Sequence, residues 1–138
     1  MMYDEDLVAP MREELTQLGI SETRTAAEVD KVLSNQQGTA LVIVNSVCGC
    51  AAANARPAVT YAMQNSKLPK AAITVFAGND AEATARARSY LVGYPPSSPA
   101  IGLIKDGEVV FMLERHNIAG RSAEDIAQEI KEAFNTFC

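Results

Sequence analysis

The run Ala40-Leu41-Val42-Ile43-Val44 is continuously apolar and rich in β-branched side chains. A strand with one face in water alternates apolar and polar residues. A strand without alternation needs cover on both faces, which is the condition of a sheet between layers of helices. Ala72-Ile73-Thr74-Val75-Phe76 reads as a second strand. The segments around these two supply the helices. Leu7, Met11, Leu15 and Leu18 recur at helical spacing, and Gly19 closes that segment. Thr25 with Glu28 predicts a capping box for a second helix, with Val29, Val32 and Leu33 inward and an end near Gly38.

Ala51 to Met63 reads as a helix that Pro57 kinks by removing one backbone hydrogen bond. Asn79 with Glu82 predicts another capping box, opening a helix that reaches about Leu91. Gly93-Tyr94-Pro95-Pro96-Ser97-Ser98-Pro99 is irregular. Ala100 to Ile104 and Glu108 to Leu113 flank Lys105-Asp106-Gly107, a hairpin signal. Ser122 with Asp125 caps a last helix that buries Ile126, Ile130, Phe134 and Phe137. Strands separated by helices predict parallel pairing, and the hairpin adds antiparallel strands. The expected fold class is therefore α/β, a central mixed β-sheet flanked by helices on both faces, with extra N-terminal helices. Residues 1–138 suit one domain, with 1–38 as an N-terminal helical extension and 39–138 as the core.

The net charge is −5, and the 7 Arg and 5 Lys are scattered with no basic run, which excludes nucleic acid as the main partner. No apolar run is long enough to cross a bilayer; the longest, Ala40 to Ala55, is broken by Asn45, Ser46 and Asn54. The start of the chain, Met1-Met2-Tyr3-Asp4-Glu5-Asp6, is acidic and lacks the basic flank and apolar stretch of a secretory signal. The expected localisation is cytoplasmic, with no membrane partner.

In that compartment a structural disulfide framework is not expected, and the chain has three cysteines. Two of them, Cys48 and Cys50, flank Gly49 where the first buried strand meets the following helix. The unpaired N–H groups and the dipole of a first helical turn stabilise a thiolate. A thiol there falls below its ordinary pKa of about 8.5 and becomes the nucleophile of disulfide exchange. Cys50, two residues on, points into the first turn. The same pair also fits two other readings, burial as small core residues and metal ligation. For a metal site, His116 and Cys138 are the only other soft candidates, and their spacing matches no metal motif.

Asn45-Ser46-Val47-Cys48-Gly49-Cys50-Ala51-Ala52, followed by Ala55-Arg56-Pro57-Ala58, resembles the bacilliredoxin family. So do Val8-Ala9-Pro10-Met11-Arg12, Thr74-Val75-Phe76-Ala77-Gly78, Pro96-Ser97-Ser98-Pro99, Arg115-His116-x-Ile118-x-Gly120 and the terminal Cys138. The resemblance implies a thioredoxin-like fold and the removal of bacillithiol, a low-molecular-weight thiol, from mixed disulfides on proteins. The segment from Pro99 to Val109 is also similar to thioredoxin from its cis-proline through its hairpin, which implies a cis Pro99 facing the active site.

On this resemblance Cys48 is the nucleophile and Cys50 the resolving thiol. Gly49, Ser98, Pro99 and Arg56 are the residues expected to meet substrate, Arg56 as a contact for the carboxylates of bacillithiol. A solvated or salt-bridged guanidinium is the plainer reading of Arg56. Cys138 is a candidate third redox thiol, a site of intermolecular bridging or an idle thiol, and His116 reads as a surface or helix-entry residue ahead of a thiol-tuning one. No tightly bound cofactor is implied; bacillithiol is a co-substrate. The implied partners are bacillithiolated client proteins and a reductase system. A general protein disulfide isomerase or reductase, and a metal or cluster carrier using the same cysteines, are the alternatives.

Overall fold

The computed structural model describes residues 2–35 and 37–138. Its centre is a five-stranded sheet in the order β1-β3-β2-β4-β5. The strands are β1 (Ser21–Glu22), β2 (Thr39–Asn45), β3 (Ala71–Phe76), β4 (Ala100–Lys105) and β5 (Glu108–Leu113). The helices are α1 (Glu5–Thr16), α2 (Ala26–Leu33), α3 (Arg56–Ala62), α4 (Ala81–Tyr90), α5 (Arg115–Ile118) and α6 (Ala123–Phe137), with a π-helical turn at Ala51–Ala55 before α3. β1 and β2 run parallel to β3, while β4 runs antiparallel to β2 and β5 antiparallel to β4.

β2 is buried at every residue, as its unbroken apolar run requires. Its side chains divide by parity. Leu41 and Ile43 join the core under α1, α3 and α6, with Phe134 and Ile130. Ala40, Val42 and Val44 join the core under α2 and α4, with Val29 and Ala87. The expected helix layers on both faces are therefore present. Cutting Ile43 back to alanine in so closed a site costs about 2–5 kcal/mol. The hairpin is also as expected: Asp106 (φ 50°) and Gly107 (φ 87°) form the left-handed pair of a tight turn. β5 carries one extra residue, Val110, between its pairings with Leu103 and Ile104.

Several expectations are corrected. The segment read as a helical extension contains β1, which pairs with β3, and α2, which covers one face of the sheet. The division at 38/39 therefore cuts through the sheet and its cover. The inward stripe of α1 is Val8, Arg12 and Leu15, while Leu7 is about half exposed. The helical spacing is the same but the face is rotated, because buried Arg12 has carboxylate partners. It binds Glu5 (2.7 Å), Glu22 (2.9 Å) and Asp80 (2.6 Å), and its guanidinium lies 5.1 Å from the centre of the Phe76 ring.

Two caps also differ. Thr25 Oγ1 accepts from the Glu28 N–H as expected, but the Glu28 carboxylate accepts from Arg24, one residue before the cap. Neither Asn79 nor Glu82 caps α4: Asn79 exchanges hydrogen bonds with the Tyr3 backbone, and Glu82 accepts from the Ala26 N–H across to α2. The Ser122 cap of α6 is formed. Pro57 does not interrupt a helix. It lies in the first turn of α3, where a missing N–H costs nothing, and the irregularity sits ahead of it in the π turn, where Arg56 N–H reaches back to the Ala51 carbonyl. The short helix α5 was not expected.

Candidate active site

Consecutive parallel strands direct their loops toward ligand at the point where those loops leave for opposite faces of the sheet. That point here is the carboxyl end of β2 and β3. The chain leaving β2 goes to α3 on one face, and the chain leaving β3 goes to α4 on the other. The antiparallel strands bring two more segments to the same edge: the residues before β4 and those after β5.

A cleft of about 250 Å³ opens there. Ser46, Val47 and Cys48 line it from the β2 side, and Ala77 and Gly78 from the β3 side. Ser98 and Arg115 close it from the hairpin side, and Tyr3 from the N-terminal segment. Tyr3 is held by two hydrogen bonds between its backbone and Asn79 (2.8 and 3.0 Å), and the following helix α1 is tied down by the Arg12 ion pair to Asp80.

Cys48 and Cys50 are both free thiols and both half-buried. Helical conformation begins at Gly49, and the Cys48 carbonyl accepts from Ala51 (3.0 Å) and Ala52 (3.2 Å). Burial alone would push the Cys48 thiol up. Hydrogen bonds from the Cys50 thiol, the Ala51 N–H, the Ser46 hydroxyl and the Cys50 N–H outweigh it and hold Cys48 below the ordinary thiol range. Cys50 moves the other way. Burial raises it, and so do its hydrogen bond to Cys48 and the charge of the Cys48 thiolate, against a smaller lowering by the Arg115 guanidinium. The arrangement is a dithiol with one acidic, cleft-facing sulfur and one protonated neighbour. That suits nucleophilic attack followed by intramolecular displacement.

The other candidate residues divide. The Ser98–Pro99 peptide is cis, Pro99 is buried, and Ser98 lines the cleft beside Cys48. Gly49 is exposed on the outside of the turn; a Cβ there would meet nothing within 4 Å. Arg56 is not available to substrate. It is 3% exposed and turned inward, donating to Asn45 Oδ1 (3.0 Å) and to the Ser46 carbonyl (2.8 Å), with an ion pair to Glu14 (3.0 Å). Its role as a carboxylate contact for substrate is overturned, because the side chain is out of water and held by partners inside the protein. Instead it holds the segment that presents Cys48, together with Asn45, which accepts from the Ser46 N–H and donates to the Met11 carbonyl.

Cys138 is exposed at the end of α6. Asn135 of that helix bonds Asn65, beyond the far end of α3, so Cys138 lies at the opposite edge of the sheet from Cys48. His116 is 74% exposed and 3.7 Å from Glu114. Among the described residues no group of three or more His, Cys, Asp or Glu side chains is arranged to hold a metal ion. No helix among them is long and apolar enough to cross a membrane. Tyr3, Gly78 and Arg115 had no assigned role in the sequence. Arg115 and Gly78 fall within the family-like runs; nothing signals Tyr3.

The sheet order and the dithiol before a helix define a thioredoxin-like protein. Solved structures agree on the fold. Thioredoxin of Fasciola hepatica superposes with a TM-score of 0.55 at 17% identity, covering 86% of this chain and 100% of that one. Thioredoxin pre-protein of Schistosoma mansoni gives 0.57 at 16%, covering 86% and 98%. A family model described as disulphide isomerase matches residues 3–138. A bacilliredoxin of Koribacter versatilis is 50% identical over 99% of this chain and 94% of its own length. One of Geobacillus kaustophilus is also 50% identical, over the same shares. This chain belongs to the bacilliredoxin family, and it is a thiol–disulfide oxidoreductase.

Proposed function

We propose that the protein removes bacillithiol from protein mixed disulfides, with Cys48 as nucleophile and Cys50 as resolving thiol. The observation that carries the reading is the placement of Cys48, a free thiol, in the cleft beside Ser98 and the cis Ser98–Pro99 peptide, with the free thiol Cys50 two residues on at the start of the helical segment. The Cys48 thiolate attacks the bacillithiol sulfur of a client–S–S–bacillithiol bond. The client leaves as its thiolate and takes a proton, and Cys48 carries bacillithiol in a new disulfide. Either Cys50 then attacks Cys48 Sγ, or a second bacillithiol attacks the bound one. The first route releases bacillithiol and leaves a Cys48–Cys50 disulfide, which needs two electrons from a thiol reductant. The second releases oxidised bacillithiol and regenerates the Cys48 thiolate directly. Bacillithiol is thus a co-substrate and no tightly bound cofactor takes part. The partners are bacillithiolated client proteins and a reductase system, and the proposed setting is the cytoplasm.

Ser98, at the cleft edge beside Pro99, offers its backbone to the client chain in an extended pairing. The description of the matching family favours a second reading, rearrangement of protein disulfides by the same pair. Rates on a bacillithiolated client and on a scrambled disulfide protein separate the two.

The direct test is intact mass and peptide mapping after mixing reduced protein with oxidised bacillithiol. One bacillithiol on Cys48 of Cys50→Ala, with a Cys48–Cys50 disulfide in the wild type, supports the dithiol route. A stable Cys48 adduct in both supports the monothiol route. No adduct in either overturns the bacillithiol reading.

A further inference from the structure

We propose that Arg115 is the anion-binding residue of the Cys48 cleft, pairing with a carboxylate of the low-molecular-weight thiol that is disulfide-bonded to Cys48. The inference rests on the reading of Cys48 as the attacking sulfur and adds how the small thiol is recognised.

Three observations carry it. Arg115 and Cys48 line the same cleft, with the Arg115 backbone anchored by its N–H to Ser97 Oγ (2.7 Å). The other arginines are already engaged: Arg12, Arg24, Arg56, Arg86 and Arg121 pair with carboxylates, and Arg88 donates to the Ser97 carbonyl. Among the described residues the Arg115 guanidinium has neither a hydrogen-bond nor an ion-pair partner. The neighbouring carboxylate, Glu114, lies 3.7 Å from His116 Nε2 and makes no ion pair with Arg115.

The cleft is otherwise lined by neutral side chains, apart from the Cys48 thiolate itself. A guanidinium there offers a planar fork that matches a carboxylate and leaves the sulfur free to react. Its charge is also felt at Cys50. A test must therefore separate substrate binding from an effect on the thiols.

One client peptide is prepared as mixed disulfides with bacillithiol, with glutathione and with 2-mercaptoethanol. The first two small thiols bear carboxylates and the third is neutral. KM and kcat are measured for the wild type, Arg115→Gln and Arg115→Lys. The expected result is a KM about five- to tenfold higher for Arg115→Gln on both anionic disulfides. The change on the mercaptoethanol disulfide stays within twofold, and Arg115→Lys recovers part of the loss. Equal loss on all three substrates overturns the proposal and makes Arg115 a thiol-tuning residue; no loss on any overturns it too. A wild type inert toward the bacillithiol disulfide alone ends the bacillithiol reading. The glutathione and mercaptoethanol pair then still decides Arg115 by the same criterion.

Discussion

Two arginines flank the Cys48 segment, one held inside the protein and one open to the cleft. Arg56, on the inner side, meets Asn45, the Ser46 carbonyl and Glu14 and is almost wholly out of water. Arg115, on the cleft side, is exposed and without a partner among the described residues. The same side chain does opposite work in the two places. A buried guanidinium must be saturated by its own protein and therefore stiffens the backbone it touches. An exposed one has water as its partner and exchanges it at little cost for an arriving anion.

The largest effect that would break this comparison is at the sulfur between the two regions. Cys48→Ser should bring clearance of mixed disulfides down to the uncatalysed rate while the fold persists, read by substrate turnover and circular dichroism. Normal turnover would remove Cys48 from the mechanism. Next come the two arginines. Arg56→Ala leaves buried acceptors unpaired and should cost about 2–4 kcal/mol, a fall in Tm of roughly 10 °C by calorimetry. Arg115→Gln should stay within about 0.5 kcal/mol of wild type. Equal stability losses in the two variants would erase the contrast.

The dithiol supplies a smaller, pH-dependent effect. A lowered pKa means that the thiolate persists to lower pH, so iodoacetamide should alkylate Cys48 with a midpoint below about 8.5, the value of a free thiol. Cys50→Ala removes a donor to that thiolate and should move the midpoint up, with less thiolate at neutral pH. A midpoint unmoved by the substitution would remove the Cys50 hydrogen bond from the account. The smallest effects belong to residues outside both regions. Gly49→Ala has open space and an ordinary helical conformation, so a gain of up to about 1 kcal/mol is expected, read by urea unfolding. Cys138→Ser, at the opposite edge of the sheet, should leave turnover unchanged.

Local signals carried well where one physical cause dominates. An apolar strand without alternation has to be covered on both faces, and β2 is. The Asp106-Gly107 turn needs left-handed residues, and both are there. Ser122 caps α6 because the cap and its acceptor lie three residues apart. The readings failed where a partner distant in sequence competed. Glu82 left its own helix for Ala26, and Asn79 left it for Tyr3. Arg12 turned α1 by finding Asp80, 68 residues away.

The position of the cysteine pair was legible for the same reason as β2: strand, Cys48-Gly49-Cys50 and helix follow one another in the chain, so their order alone puts a thiol at a helix start. The cleft was not. Its walls come from residues 3, 46–48, 77–78, 98 and 115, brought to one edge by strand order and register. By itself the sequence determined the helix-covered sheet and the place of two thiols at a helix start, because both depend on neighbours within one or two turns of chain. Which arginine is buried and which lines the cleft was decided by the tertiary structure alone, because burial is a property of what the rest of the chain stacks above a residue.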